Sequence, residues 1–197
     1  MKENINLEFC FKGNRTYVHG TDIYNKLLKL LHNEMNYEKF DLSFHGIAKK
    51  NINILFDKPK DEDSLKFVCK YLDNNGNRKI LYGIENNSEI DCRYKYPEED
   101  ICSLSKLNID NQEILLDENS SFSFIENTVA INKYLLENLF PNLNGKWYFT
   151  RLQTVNLFTD NIYPLKLVLK ANFNFKLTKT EIFIDNKSVG FIYFSLL

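Results

Sequence analysis

The chain has 197 residues, with 25 basic and 26 acidic side chains and a net charge of −1. That balance argues against a dedicated nucleic-acid binder, which carries a basic excess. Hydrophobic residues make up 44% and aromatic residues 14%, which favours strands around an aromatic-filled core, and a chain of this length is expected to bury that core without disulfides or metal.

No apolar run follows the basic start "MKENINLEF", and no stretch reads as a bilayer span. A cytoplasmic protein without membrane association is therefore expected. Cys10, Cys69, Cys92 and Cys102 show no C-x-x-C spacing, so they are expected to be free, packed thiols of a reducing compartment. His19, His32 and His45 fall on separate predicted elements. No metal site and no other cofactor is expected.

In chain order, residues 4–12 read as a strand and residues 15–18 as a second extended piece after the Gly13-Asn14 turn. Ile23, Leu27, Leu30 and Leu31 then recur at helical spacing, with Thr21 or Asp22 able to cap the start. Residues 40–47 and 51–57 read as strands, followed by the charged loop "DKPKDEDS". "LKFVCKYL" and "RKILYGI" flank "DNNGN", a hairpin signal. Residues 86–112 are polar and read as a connector with short strands. "SSFSFIEN" is expected to be extended and "TVAINKYLLENLF" helical, capped by Asn127 or Thr128 and ended by Pro141. The apolar face of that helix is Ile131, Leu135, Leu136 and Leu139. Four strand-like runs complete the chain, with "DNKS" as the last hairpin turn.

Both halves thus run strand, helix, strands. An ungapped offset of 107 positions pairs Thr21 with Thr128, Asn25 with Asn132, Lys26 with Lys133 and Leu28 with Leu135. An offset of 100 pairs "LKFVCK" with "LKLVLK". A duplicated fold is expected, residues 1–86 forming one repeat and residues 87–197 a connector and a second repeat.

This element order resembles the hotdog fold, and the duplicated chain resembles a double hotdog: α+β, each repeat a central helix wrapped by an antiparallel sheet. "VHGTDIYNKLL" is similar to the His-Gly-Gly entrance of the central helix in hotdog thioesterases. The resemblance implies that a backbone N–H at the helix start polarises a thioester carbonyl, a role suited to the partial positive charge there. His19 would orient the thioester and Gly20 would admit close approach of the ligand. Two positions depart from the family pattern. Thr21 replaces the second glycine, and Leu28 stands where the catalytic carboxylate is usual, leaving Asp22 as the nearby acid.

The reading therefore takes His19 and Asp22 as catalytic candidates, with Gly20, Tyr24, Asn25, Glu126, Asn132 and Arg151 as substrate-binding candidates. Arg151 is chosen because a guanidinium suits the phosphate or carboxylate of a carrier. The implied partner is acyl-coenzyme A or acyl carrier protein, in fatty-acid or polyketide-type metabolism, handled by a monomeric pseudo-dimer or a homodimer. The implied chemistry is thioester hydrolysis or 3-hydroxyacyl dehydration. The alternative is a non-catalytic acyl-ligand-binding or scaffolding hotdog protein.

Overall fold

The computed structural model describes residues 4–31, 35–61, 63–158 and 162–197, the side chains of 35–38 excepted. His32 lies outside the described residues. The chain divides into two units, Met1–Tyr96 and Pro97–Leu197. Residues 87–96, which the sequence assigned to the second half, belong to the first. A disulfide joins Cys92 to Cys10, and Arg93-Tyr94 pairs with Phe11-Lys12.

In the first unit the single strand expected over residues 4–12 is two, β1 (Ile5–Leu7) and β2 (Phe11–Lys12). Helix α1 (Gly20–Leu31) follows and buries Thr21, Ile23, Tyr24, Leu27 and Leu31. Then come β3 (Met35–Phe44), β4 (Ile52–Leu55), β5 (Leu65–Asp73), β6 (Arg78–Glu85) and β7 (Arg93–Tyr94). The antiparallel sheet has the order β1-β4-β6-β5-β3, and β2 and β7 form a separate parallel pair. The "DNNGN" hairpin forms because the Asp73 carboxylate accepts from the backbone N–H groups of Asn75 and Asn77, at 2.9 and 2.8 Å.

The strand end at Glu85 is tied by charge. Its carboxylate accepts from the backbone N–H groups of Lys49 and Lys50, and Lys66 Nζ lies 3.4 Å away. Burial alone raises the Glu85 pKa, but these donors and the Lys66 charge outweigh it and hold the group below its ordinary value of 4.5. A depressed folded-state pKa gives stability that is present above the unfolded value and lost as pH falls through the folded one. Glu85→Gln is therefore expected to cost stability at neutral pH and progressively less towards about pH 3, read from urea midpoints. A gap from native protein that stays constant with pH would remove Glu85 from the acid response.

The second unit contains α2 (Glu98–Ser103), β8 (Ser105–Asn108), β9 (Glu113–Leu116), α3 (Phe124–Leu139), β10 (Trp147–Thr154), β11 (Leu165–Phe173), β12 (Leu177–Ile184) and β13 (Lys187–Leu196). Its antiparallel sheet has the order β10-β13-β12-β11-β9-β8, and α3 packs on β9, β10 and β11. The last hairpin turns through Asp185 and Asn186, both at positive φ (47° and 60°), as a two-residue turn of that hand demands.

Two expectations are corrected here. Helix α3 begins at Phe124, not near Thr128, so "FIEN" is helical rather than extended. Ser123 caps it in a reciprocal box with Glu126, an S-x-x-E pattern legible in "SFIE". The repeat offsets also fail in the structure. The two long helices start at Gly20 and Phe124, 104 residues apart, not 107. At that offset the five buried residues of α1 all fall on buried residues of α3. "LKFVCK" lies in β5, between β6 and β3, the second strand of its unit counted from β3, whereas "LKLVLK" lies in β11, between β12 and β9, the fourth of its unit counted from β10. Those two runs therefore occupy different places in their sheets.

No helix of the described residues is long and apolar enough to cross a membrane.

Candidate active site at the start of the first helix

The chain enters α1 through His19, whose carbonyl accepts from the N–H groups of Asp22 and Ile23 at 3.0 and 3.3 Å. His19 is thus the residue at the helix threshold, and Gly20 is the first residue of the helix. The imidazole is buried, 8% exposed, and His19 Nδ1 lies 2.7 Å from Thr21 Oγ1. Thr21 Oγ1 also accepts from Lys12 Nζ at 2.9 Å. The Thr21 hydroxyl thus links the Lys12 ammonium to the His19 ring.

Lys12 is the group that sequence reading missed. Its side chain has no solvent exposure. Lys12 Nζ stands 3.4 Å from Asp22 Oδ1 and 4.0 Å from the centroid of the Tyr96 ring. A carboxylate, a hydroxyl and an aromatic face together replace the water the ammonium has lost. Asp22 Oδ1 also accepts from the Tyr94 hydroxyl at 2.6 Å. Lysine in a strand-like "EFCFKG" reads as a solvated residue, and Tyr94 and Tyr96 read as part of a polar connector. Only the position of β7 beside β2 brings them to the helix start.

Beside this cluster a cavity of about 660 Å³ runs along α1, lined by Asp22, Asn25, Lys26 and Lys29 on the helix and by Glu8, Asp91 and the Cys10–Cys92 bond opposite, among others. Of the predicted site residues, the structure gathers His19, Gly20, Asp22 and Asn25. Asp22 and Asn25 face the cavity, and His19 lies behind Asp22 against Thr21. Tyr24 is in the core, edge-on to Phe40 with ring centroids 5.5 Å apart. Leu28 is half-buried on α1.

In the second unit, Glu126 Oε2 accepts from the Ser123 N–H and hydroxyl at 3.0 and 2.7 Å, the work of a helix cap. Arg151 on β10 lies over the Tyr193 ring, 5.7 Å from its centroid. Asn127 is buried in a closed polar network with Ser120 and Tyr163. Asn132 is fully buried on α3 and neither amide atom has a hydrogen-bond partner. An unsatisfied buried amide costs stability. Asn132→Leu is therefore expected to stabilise the protein by on the order of 1–3 kcal/mol, read from the urea midpoint. A fall in midpoint would mean that the amide is bonded in solution.

The expectation of four free thiols is corrected for two of them, since Cys10 and Cys92 form a disulfide. Cys69 and Cys102 are free. Burial pushes both thiols up, Cys102 to about 11 with Glu98 adding to the effect, so neither is a ready nucleophile at neutral pH. No cluster of metal-binding side chains occurs among the described residues.

No protein-family model and no curated protein sequence matches the chain. Solved structures do. A tesB protein of Mycobacterium avium subs paratuberculosis aligns with a TM-score of 0.51 at 4% identity, covering 97% of this chain and 90% of that one. The fold is of the hotdog type. A monomeric dehydratase domain from a trans AT polyketide synthase split module aligns with a TM-score of 0.45 at 10% identity over 99% of this chain and 100% of that one. A candidate thioesterase of Novosphingobium aromaticivorans aligns with a TM-score of 0.47 at 7% identity over 98% and 94%. At these identities the likeness concerns the hotdog fold alone.

Proposed function

We propose that this hotdog protein is thioesterase- or dehydratase-like and handles an acyl thioester of coenzyme A or of an acyl carrier protein at the start of α1. The observation that carries the reading is the pairing of His19 and Asp22 around a helix N-terminus, with Asp22 opening onto the cavity. The N-terminal N–H groups of α1 would polarise the thioester carbonyl. Gly20 would let the carbonyl approach, Asn25 would hold the polar part of the carrier, and His19 would move a proton. The two units are read as the halves of a double hotdog, supported by one long helix and a run of antiparallel strands in each. A cytoplasmic setting belongs to the same proposal.

A second reading, binding or scaffolding without turnover, is favoured by one specific feature. The Asp22 carboxylate is engaged by Lys12 and Tyr94, and Leu28 supplies no acid in its place. Turnover and calorimetric binding of a panel of acyl-coenzyme A esters, for native protein and His19→Ala, separate the two. Turnover in native protein that His19→Ala abolishes while binding persists supports the enzyme. Binding without turnover in native protein supports the second reading. Absence of both, with acyl carrier protein also tried, overturns the proposal.

A further inference from the structure

The Cys10–Cys92 bond links positions 82 residues apart and lines the cavity beside α1. Cys92 is exposed and Cys10 half-buried, whereas Cys69 is buried and Cys102 is held high in pKa. The segment just after Cys92 supplies much of what closes the helix start. Arg93 Nη1 donates to the carbonyls of Gly13 and Arg15, the Tyr94 hydroxyl donates to Asp22, and the Tyr96 ring covers Lys12 Nζ. Only two residue pairs, Phe11 with Arg93 and Lys12 with Tyr94, join β7 to β2. So short a ladder is marginal by itself, and the disulfide next to it acts as its staple.

We propose that Cys10–Cys92 is a thiol–disulfide exchange site for a small thiol or dithiol entering the cavity, and that its reduction releases residues 93–96 from the start of α1. This inference does not rest on the acyl-thioester reading. An attacking thiolate forms a bond to Sγ of Cys92, the more exposed residue of the pair. The Cys10–Cys92 bond breaks, and its electron pair leaves on Cys10 Sγ, which takes a proton. A second thiolate then attacks the sulfur of the reductant in the mixed disulfide and frees the Cys92 thiolate, which is protonated in turn. The protein gains two electrons and two protons, and two reductant thiols become one disulfide. The Phe9 carbonyl oxygen, 3.4 Å from Cys92 Sγ, is in place to accept from the resulting thiol. Tyr94 and Tyr96 then lose their tether, and Asp22 and Lys12 gain access to water. Exposure is what separates this bond from a buried structural disulfide, because exchange requires approach to sulfur.

The test uses native full-length protein incubated with dithiothreitol, alkylated with iodoacetamide and mapped by peptide mass spectrometry. Cys10 and Cys92 are expected to be labelled together while Cys69 is not. Hydrogen exchange at residues 93–96 and in the first turn of α1 is expected to speed up by on the order of tenfold. Oxidised glutathione should restore slow exchange. Cys10→Ser leaves Cys92 as a thiol; it is expected to form a glutathione adduct there that dithiothreitol removes, and, without the adduct, to exchange fast at residues 93–96 whether or not dithiothreitol is present. Should that variant fail to fold, the reduced native protein carries the same test. Labelling of the pair only after unfolding, labelling without any reductant, or unchanged exchange at residues 93–96 after reduction would each overturn the proposal.

Discussion

Asp22→Ala is expected to destabilise the protein by about 3–5 kcal/mol. The substitution removes the carboxylate that faces Lys12 Nζ at 3.4 Å and leaves a fully buried ammonium against Thr21 and two tyrosine rings. Lys12→Met removes the buried charge itself, and Asp22, 14% exposed, keeps a path to solvent. Its cost should therefore be smaller. The double variant, Lys12→Met with Asp22→Ala, is expected to recover most of the loss of Asp22→Ala, since no charge is then left uncompensated. Urea unfolding of the four proteins closes a double-mutant cycle. Costs that simply add would mean that Lys12 and Asp22 do not act on each other in solution. The outcome also bears on chemistry. A strong coupling marks Asp22 first as the partner of Lys12, and proton transfer at the site then falls to His19.

Gly190→Ala is expected to cost about 4 kcal/mol or more, with unfolding concentrated in the second unit. Gly190 sits on β13 opposite Thr154 with φ at 151°. A Cβ there would lie 2.0 Å from the Gln153 carbonyl oxygen and 2.8 Å from Thr154 Cα. Both are backbone atoms of the neighbouring strand, so relief requires breaking the β10–β13 ladder rather than turning a side chain. The chain's single tryptophan, Trp147, is buried at the start of β10, and its fluorescence reports this unit directly. Gly46→Ala is the control. A Cβ at Gly46 meets nothing closer than 3.5 Å, and no positive φ opposes it. Equal midpoints for the two variants would show that β10 and β13 do not approach as closely as the backbone indicates.

The helix at Gly20–Leu31 was legible because Ile23, Leu27 and Leu31 keep a 3.6-residue period over an unbroken run. The hairpins at "DNNGN" and "DNKS" were legible because their turn chemistry is local. The start of α3 was written in "SFIE", but reading those residues as extended hid it. The repeat offsets went astray for a different reason. Leucine and lysine recur by composition in any amphipathic strand, so "LKFVCK" and "LKLVLK" matched as letters while occupying different places in their sheets.

By itself the sequence determined the α+β class, the hotdog-like element order, the two long helices and the placing of His19 and Asp22 at the first of them. Each depends on periodicity or on neighbours within a turn of chain. The tertiary structure alone decided what those residues touch. Tyr94 reaches Asp22 across 72 residues and Cys92 reaches Cys10 across 82. No local pattern encodes such meetings, because they follow from β7 lying beside β2. The same packing turned Lys12, an ordinary strand lysine by sequence, into the buried charge that the start of α1 is built around.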